Sequence, residues 1–249
     1  MINPVIVIPS RLAATRLPDK PLAMIEGEPM IVHVWRRGME AELGPVIVAA
    51  ANAEIVEAVQ KAGGQAVMTD PDLPSGTDRV RAALTELDPG KTHDLVVNLQ
   101  GDLPTIAPAD IRRTISLLEQ GEADMSTIGA VITSADEAAQ PSVVKAVVDL
   151  AEGDDAGRAL YFSRQPVPSG EGPLIHHIGI YGFRRAALER FVTLPPSPLE
   201  RREKLEQLRA LSAGMRIDLA VVDTVPLGVD TQADLEVARV ALRKTGAKD

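Results

Sequence analysis

The sequence predicts an α/β protein with a mixed, mostly parallel sheet flanked by helices. Three observations carry that prediction. Short β-branched runs recur in the first half, helical patterns separate them, and the runs end in loops rich in Gly, Pro and polar residues. Val5-Ile6-Val7-Ile8 is apolar throughout and too short for a helix, so it reads as a buried strand. Val46-Ile47-Val48-Ala49 is a second such run, Gln65 to Thr69 a weaker third, and Leu95 to Leu99 a fourth. Between them, residues 30–41 place Met30, Val34 and Trp35 on one helical face, and further helical patterns follow at 53–62 and 77–87. A fourth, 108–120, opens with Pro108, whose fixed φ and missing N–H suit a first turn. Strands and helices alternating at this spacing give βαβ units and parallel strand pairs.

The second half changes character. Residues 124–132 and 143–150 read as strands with little helix between them. A Pro/Gly-rich stretch from Gln165 to Pro173 leads into another strand pattern, Ile175 to Phe183. Helical patterns return at 184–192 and 199–213, Ile217 to Val222 is a late strand, and 232–244 a closing helix. No long polar linker intervenes. Residues 1–249 are therefore expected to form one domain, with a mixed-sheet extension at about 124–183.

Composition narrows the function classes. The 249 residues include no cysteine, which excludes disulfides, thiolate metal sites and a Cys nucleophile. A net charge of −9, from 26 Lys+Arg against 35 Asp+Glu, argues against binding a nucleic-acid polymer or an anionic membrane. No apolar run approaches the roughly 20 residues of a membrane span, and the start runs directly into a strand without a basic leader segment. A soluble, cytoplasmic protein is expected. The charge is uneven: residues 1–37 carry a net +2 on this acidic chain, a small positive island suited to a compact anion.

Four connections carry candidate chemistry. The first follows the first strand and runs from Pro9 to Leu22. It holds Arg11, Arg16 and Lys20 with the hydroxyls of Ser10 and Thr15. Loops outside the carboxyl ends of parallel strands bind ligands, and guanidinium forks with an ammonium suit phosphates. Neither a Walker A loop nor a G-x-G-x-x-G fingerprint is present. The second, Ser75-Gly76-Thr77-Asp78-Arg79, offers Ser75 or Thr77 as a helix cap and allows close backbone approach at Gly76. The third, Asn98-Leu99-Gln100-Gly101-Asp102, puts a carboxylate at a strand tip, and the fourth, Gly228-Val229-Asp230-Thr231, precedes the last helix. Asp102 could equally make an Asx-turn and Asp230 or Thr231 a plain helix cap, or the two Asp residues could converge on one hard cation.

In order along the chain, these stretches resemble the 3-deoxy-manno-octulosonate cytidylyltransferase family. Tyr161-Phe162-Ser163-Arg164, His177 through Arg184, Ser197-Pro198-Leu199-Glu200 and Leu205 through Arg209 complete the likeness, which runs nearly end to end. The resemblance implies a nucleotide-diphospho-sugar transferase-like, Rossmann-like fold. It also implies a reaction in which CTP and the acid sugar Kdo give CMP-Kdo and pyrophosphate with Mg2+, for lipopolysaccharide biosynthesis, by a homodimer. Carried over residue by residue, Arg11, Arg16 and Lys20 resemble triphosphate contacts, and Ser75, Gly76 and Arg79 a cytosine-binding loop. Gln100 resembles part of both pockets, and Asp102 and Asp230 resemble the metal ligands. Arg11, Lys20, Asp102 and Asp230 are the expected catalytic set. Arg164, His177, Tyr181, Glu206 and Gln207 resemble a sugar-binding set, with the extension as sugar-binding and dimerisation lobe. One departure stands out: the usual family pattern is Asp-Glu-Pro, whereas this chain reads Asp102-Leu103-Pro104. A sibling enzyme for another acid sugar, such as sialic acid, and a non-catalytic nucleotide-binding homologue are the alternatives.

Overall fold

The computed structural model describes residues 2–12 and 16–246, which form two compact units. Thr15 of the basic loop lies outside the described residues. The first unit comprises residues up to Arg112 together with Pro226 onward, and the second runs from Arg113 to Val225. The stretch at about 124–183, read from sequence as an extension, lies within the second unit, which also takes in the helices and strand that follow it.

In the first unit, β1 (Pro4–Ser10) is followed by a 3₁₀ turn at Lys20–Leu22 and a small hairpin of β2 (Met24–Ile25) and β3 (Glu28–Pro29). Then come α1 (Met30–Glu40), β4 (Val46–Ala50), α2 (Ala53–Lys61), β5 (Gln65–Met68), α3 (Gly76–Leu87), β6 (Leu95–Asn98) and α4 (Pro108–Gln120), within which the second unit begins. The strands lie in the order β5-β4-β1-β6, all parallel. Val5 to Ile8 and Val96-Val97 are wholly buried, as the uninterrupted β-branched runs require of strands covered on both faces.

The second unit contains β7 (Met125–Val131), α5 (Ala135–Ala139), β8 (Lys145–Asp149), β9 (Ala156–Ser163) and β10 (Ile175–Arg184). It continues with α6 (Arg185–Thr193), α7 (Pro198–Glu203), α8 (Gln207–Ser212) and β11 (Ile217–Val222). Its order is β10-β7-β11-β9-β8; only β7 and β11 pair in parallel. The sheet is therefore mixed. The chain then returns to the first unit through α9 (Gln232–Gly246).

Two expectations differ from the structure. Residues 199–213 are two helices, because Lys204 takes a left-handed φ of 56° after a Ser197–Glu200 capping box has started α7. Strand β9 was not expected: Ala156, Arg158, Ala159 and Leu160 lack the β-branched signal, and only pairing with β8 and β11 makes this segment a strand.

Candidate active site

The carboxyl ends of β1 and β6 and the start of α3 surround a cleft of about 300 Å³ in the first unit. Its lining includes Ser10, Arg11, Lys20, Ser75, Gly76, Arg79, Gln100 and Asp102, so most of the predicted nucleotide residues come together. Close backbone approach makes it possible. A Cβ on Gly101 would lie 3.1 Å from the Pro9 carbonyl oxygen, and one on Gly76 would lie 3.3 Å from Pro9 Cγ.

At the cleft's acidic side, the Lys20 ammonium donates to Asp102 Oδ2 at 2.8 Å and to Asp230 Oδ1 at 3.1 Å. Packing brings these distant residues together. Leu17 of the basic loop is buried with Ile25, Met30, Val229, Leu235 and Ala238, which ties the loop to the segment before α9 and to α9 itself. The Val229 amide then donates to the Asp102 carbonyl at 3.0 Å, setting Asp230 beside Asp102. Burial opposes the ammonium, but the two carboxylates outweigh it and hold the Lys20 pKa above its ordinary value. Arg16 also pairs with Asp230 at 3.0 Å; both side chains are well exposed, so this pair contributes little.

The arrangement fits a hard divalent cation. Asp102 and Asp230 are oxygen donors already converging on one positive charge, and magnesium is commonly held by one or two carboxylates with the remaining positions left to water and phosphate. Among the described residues, no cluster of three or more His, Cys, Asp or Glu side chains forms a metal cage. Leu103, standing where the family's acidic residue is usual, is buried near Gly228 and offers no donor.

Arg79 behaves differently from Arg11. Arg11 is exposed at the cleft, whereas Arg79 is 2% exposed and donates to Thr69 Oγ1 at 2.6 Å and to the Asp70 carbonyl at 2.9 Å. Burial and then the Arg11 guanidinium lower its pKa, against Asp70. Arg79 thus ties down the loop that leads into α3 while adding positive potential to the cleft. Ser75 caps α3, its Oγ accepting from the Asp78 amide at 3.1 Å.

The sugar-binding set expected from the resemblance lies in the second unit. His177 is buried; Thr127 Oγ1 lies 3.0 Å from its Nε2 and Gln207 Nε2 lies 3.5 Å from its Nδ1. The Thr127 hydroxyl donates to the Ile180 carbonyl at 2.7 Å, so His177 must donate from Nε2, leaving Nδ1 as acceptor toward Gln207. Burial, with a smaller contribution from His176, pushes His177 down to about 3. The Tyr181 ring lies 5.6 Å from that of His177, and burial, with Glu206 nearby, raises its phenol above the ordinary value. Glu206 also lies 3.8 Å from Arg209. His176 pairs with Glu137 at 2.8 Å, away from these partners, as strand alternation predicts. Arg164, placed in the sugar-binding set by the resemblance, donates to the carbonyls of Glu203 at 2.8 Å, Pro141 at 3.0 Å and Lys204 at 3.3 Å. Sequence reasoning missed Lys145, which is 0% exposed and donates to the carbonyls of Gln140, Val143 and Arg164 within 2.9 Å; no motif marks it.

The chain is similar to known cytidylyltransferases along most of its length. The family model described as Cytidylyltransferase matches residues 5–217. A Parvibaculum lavamentivorans protein named 3-deoxy-manno-octulosonate cytidylyltransferase is 63% identical over 97% of this chain and 93% of its own length. A Rhodospirillum centenum protein of the same name is 62% identical over 99% of this chain and 96% of its own. The solved structure of CMP:2-keto-3-deoxy-manno-octonic acid synthetase complexed with CTP is similar at a TM-score of 0.88 and 40% identity, covering 97% of this chain and 99% of that one. A nucleotidyl transferase from Methanothermobacter, 16% identical with a TM-score of 0.65 over 97% of this chain and 98% of its own, shares the fold. The chain belongs to the 3-deoxy-manno-octulosonate cytidylyltransferase family.

Proposed function

We propose that this protein transfers the cytidylyl group of CTP to 3-deoxy-manno-octulosonate, releasing pyrophosphate, in the cytoplasmic supply of activated Kdo for lipopolysaccharide. The observation that carries this reading is the cleft in which Arg11 and Lys20 lie beside Asp102, with Asp230 on the same lysine. Cations for a triphosphate and carboxylates for a metal stand at one point, which is the equipment of phosphoryl-transfer sites.

In the reaction the sugar's anomeric hydroxyl oxygen attacks the α-phosphorus. A new P–O bond forms, the bond to the bridging oxygen breaks, and its electron pair leaves with pyrophosphate; the hydroxyl proton passes to solvent. Arg11 and Lys20 hold the β- and γ-phosphates and offset the charge that develops on the leaving group. Asp102 and Asp230 would hold Mg2+, which when bound supplies Lewis acidity at the α-phosphate and the attacking oxygen. Ser75 and Gly76 receive the cytosine, and Arg79 keeps their loop in place. Gln100 contributes to the same pocket. His177, Tyr181, Glu206 and Gln207 receive the acid sugar, with Arg164 shaping their surroundings. Homodimerisation through the stretch at about 124–183 belongs to the same reading. Among the described residues, no helix is long and apolar enough to cross a membrane.

Pyrophosphate release with CTP and a panel of acid sugars tests the reading. Turnover with Kdo, and much less with sialic acid, is the expected result. Turnover with sialic acid alone would assign a sibling activity, and tight CTP binding without turnover on any sugar would assign a binding protein.

A further inference from the structure

We infer that Asn98 is a positioning residue that orients the Gln100 amide so that the cleft presents a hydrogen-bond acceptor, and that this acceptor takes a ligand hydroxyl. The inference rests on the reading of the cleft as the nucleotide site. Asn98 ends β6 and is 0% exposed, directly after the apolar run Leu95-Val96-Val97. A buried amide there is unfavourable unless both of its ends are hydrogen-bonded. Both are: Nδ2 donates to Thr77 Oγ1 at 3.3 Å, and Oδ1 accepts from Gln100 Nε2 at 3.1 Å. Thr77, in the first turn of α3, is itself buried.

This chain of bonds has a direction. With Asn98 Nδ2 turned to the hydroxyl, Oδ1 faces Gln100 and engages its amide nitrogen. Gln100 lines the cleft, and with Nε2 bonded to Asn98 its Oε1 is the end of the amide inferred to face the cleft as a neutral acceptor. Its neighbours Arg11, Lys20 and Arg79 are donors only, while Asp102 accepts from Lys20. A phosphate oxygen meeting Gln100 Oε1 would set acceptor against acceptor, so the triphosphate is steered toward the cations. A ribose or acid-sugar hydroxyl is the complementary group.

The test compares Asn98→Leu, Asn98→Asp and Gln100→Leu with the Asn98→Leu/Gln100→Leu double variant. CTP affinity is measured by calorimetry, the KM for Kdo by pyrophosphate release, and thermal stability separately. Asn98→Leu frees Gln100 and is expected to weaken one ligand by about tenfold, the scale of one lost oriented hydrogen bond. A change in CTP affinity assigns the hydroxyl to ribose, and a change in the KM for Kdo assigns it to the sugar. Asn98→Asp keeps an acceptor for Gln100 Nε2 and is expected to stay within about threefold of wild type. In the Gln100→Leu background, Asn98→Leu is expected to add nothing. Equal impairment by Asp and Leu, additive effects in the double variant, or unchanged binding in Asn98→Leu would each overturn the inference alone. A wild-type protein that binds no CTP would overturn the nucleotide reading and the inference with it.

Discussion

His177 gives the sharpest link between geometry and a measurable quantity. It is buried and neutral, and its pKa is pushed down to about 3 by burial and then by His176. In the unfolded chain an ordinary histidine titrates near 6.5. Below that pH the unfolded state takes up a proton that the folded state refuses, so stability is fully present above about 6.5 and falls as pH drops toward the folded value. From pH 8 to pH 5 this single group removes about 2 kcal/mol. The perturbation is His177→Gln, which keeps an amide donor for Thr127 Oγ1 and has no proton to gain. The assay is equilibrium urea unfolding, followed by far-UV circular dichroism at pH 8 and pH 5 for both proteins. The variant is expected to be less stable than wild type at pH 8 but to lose about 2 kcal/mol less on going to pH 5. Equal losses in the two proteins would refute the assignment of His177 as a buried neutral histidine.

Other expectations concern the cleft and the second unit. Lys20→Ala should lower turnover by about 10²- to 10³-fold if the ammonium offsets charge on the leaving pyrophosphate; near-normal steady-state rates with CTP and Kdo would remove it from that role. Asp102→Asn should weaken Mn2+ binding, read by electron paramagnetic resonance, by at least tenfold while the circular dichroism spectrum stays unchanged, since Asp102 is half-buried and offers its carboxylate to a cation. Arg79→Lys should lower stability by about 1–3 kcal/mol, because an ammonium cannot span the bonds to Thr69, Asp70 and Pro71 at once. Lys145→Met should lower it by about 3 kcal/mol or more, since three carbonyls lose their common donor; a melting temperature equal to wild type would contradict that bonding.

Legibility differed from element to element for physical reasons. Strands β1, β4 and β6 could be read because β-branched residues in an unbroken apolar run have few other stable arrangements in water. Strand β9 could not, because its residues favour a sheet only through their neighbours. The break between α7 and α8 depends on a left-handed Lys204, a conformation that no residue preference announces. The basic loop was legible as local chemistry, and so was a cap at Ser75 or Thr77, with the structure deciding for Ser75. That Arg79 and Arg164 use their guanidinium groups on backbone carbonyls was not, because a cation in a sequence shows its charge and not its partner.

The sequence by itself determined the α/β class, the acidic cysteine-free character, and an ordered set of motifs specific enough to indicate the family. Each of these depends on residue type and short spacing, which an unfolded chain already possesses. Only the tertiary structure decided that Lys20 stands between Asp102, 82 residues away, and Asp230, 210 residues away. Charge and hydrogen bonding act over a few ångströms. Burial of Leu17 against Val229 and Leu235 brings those groups within that range, so the cleft's electrostatics belong to the packed core beneath it.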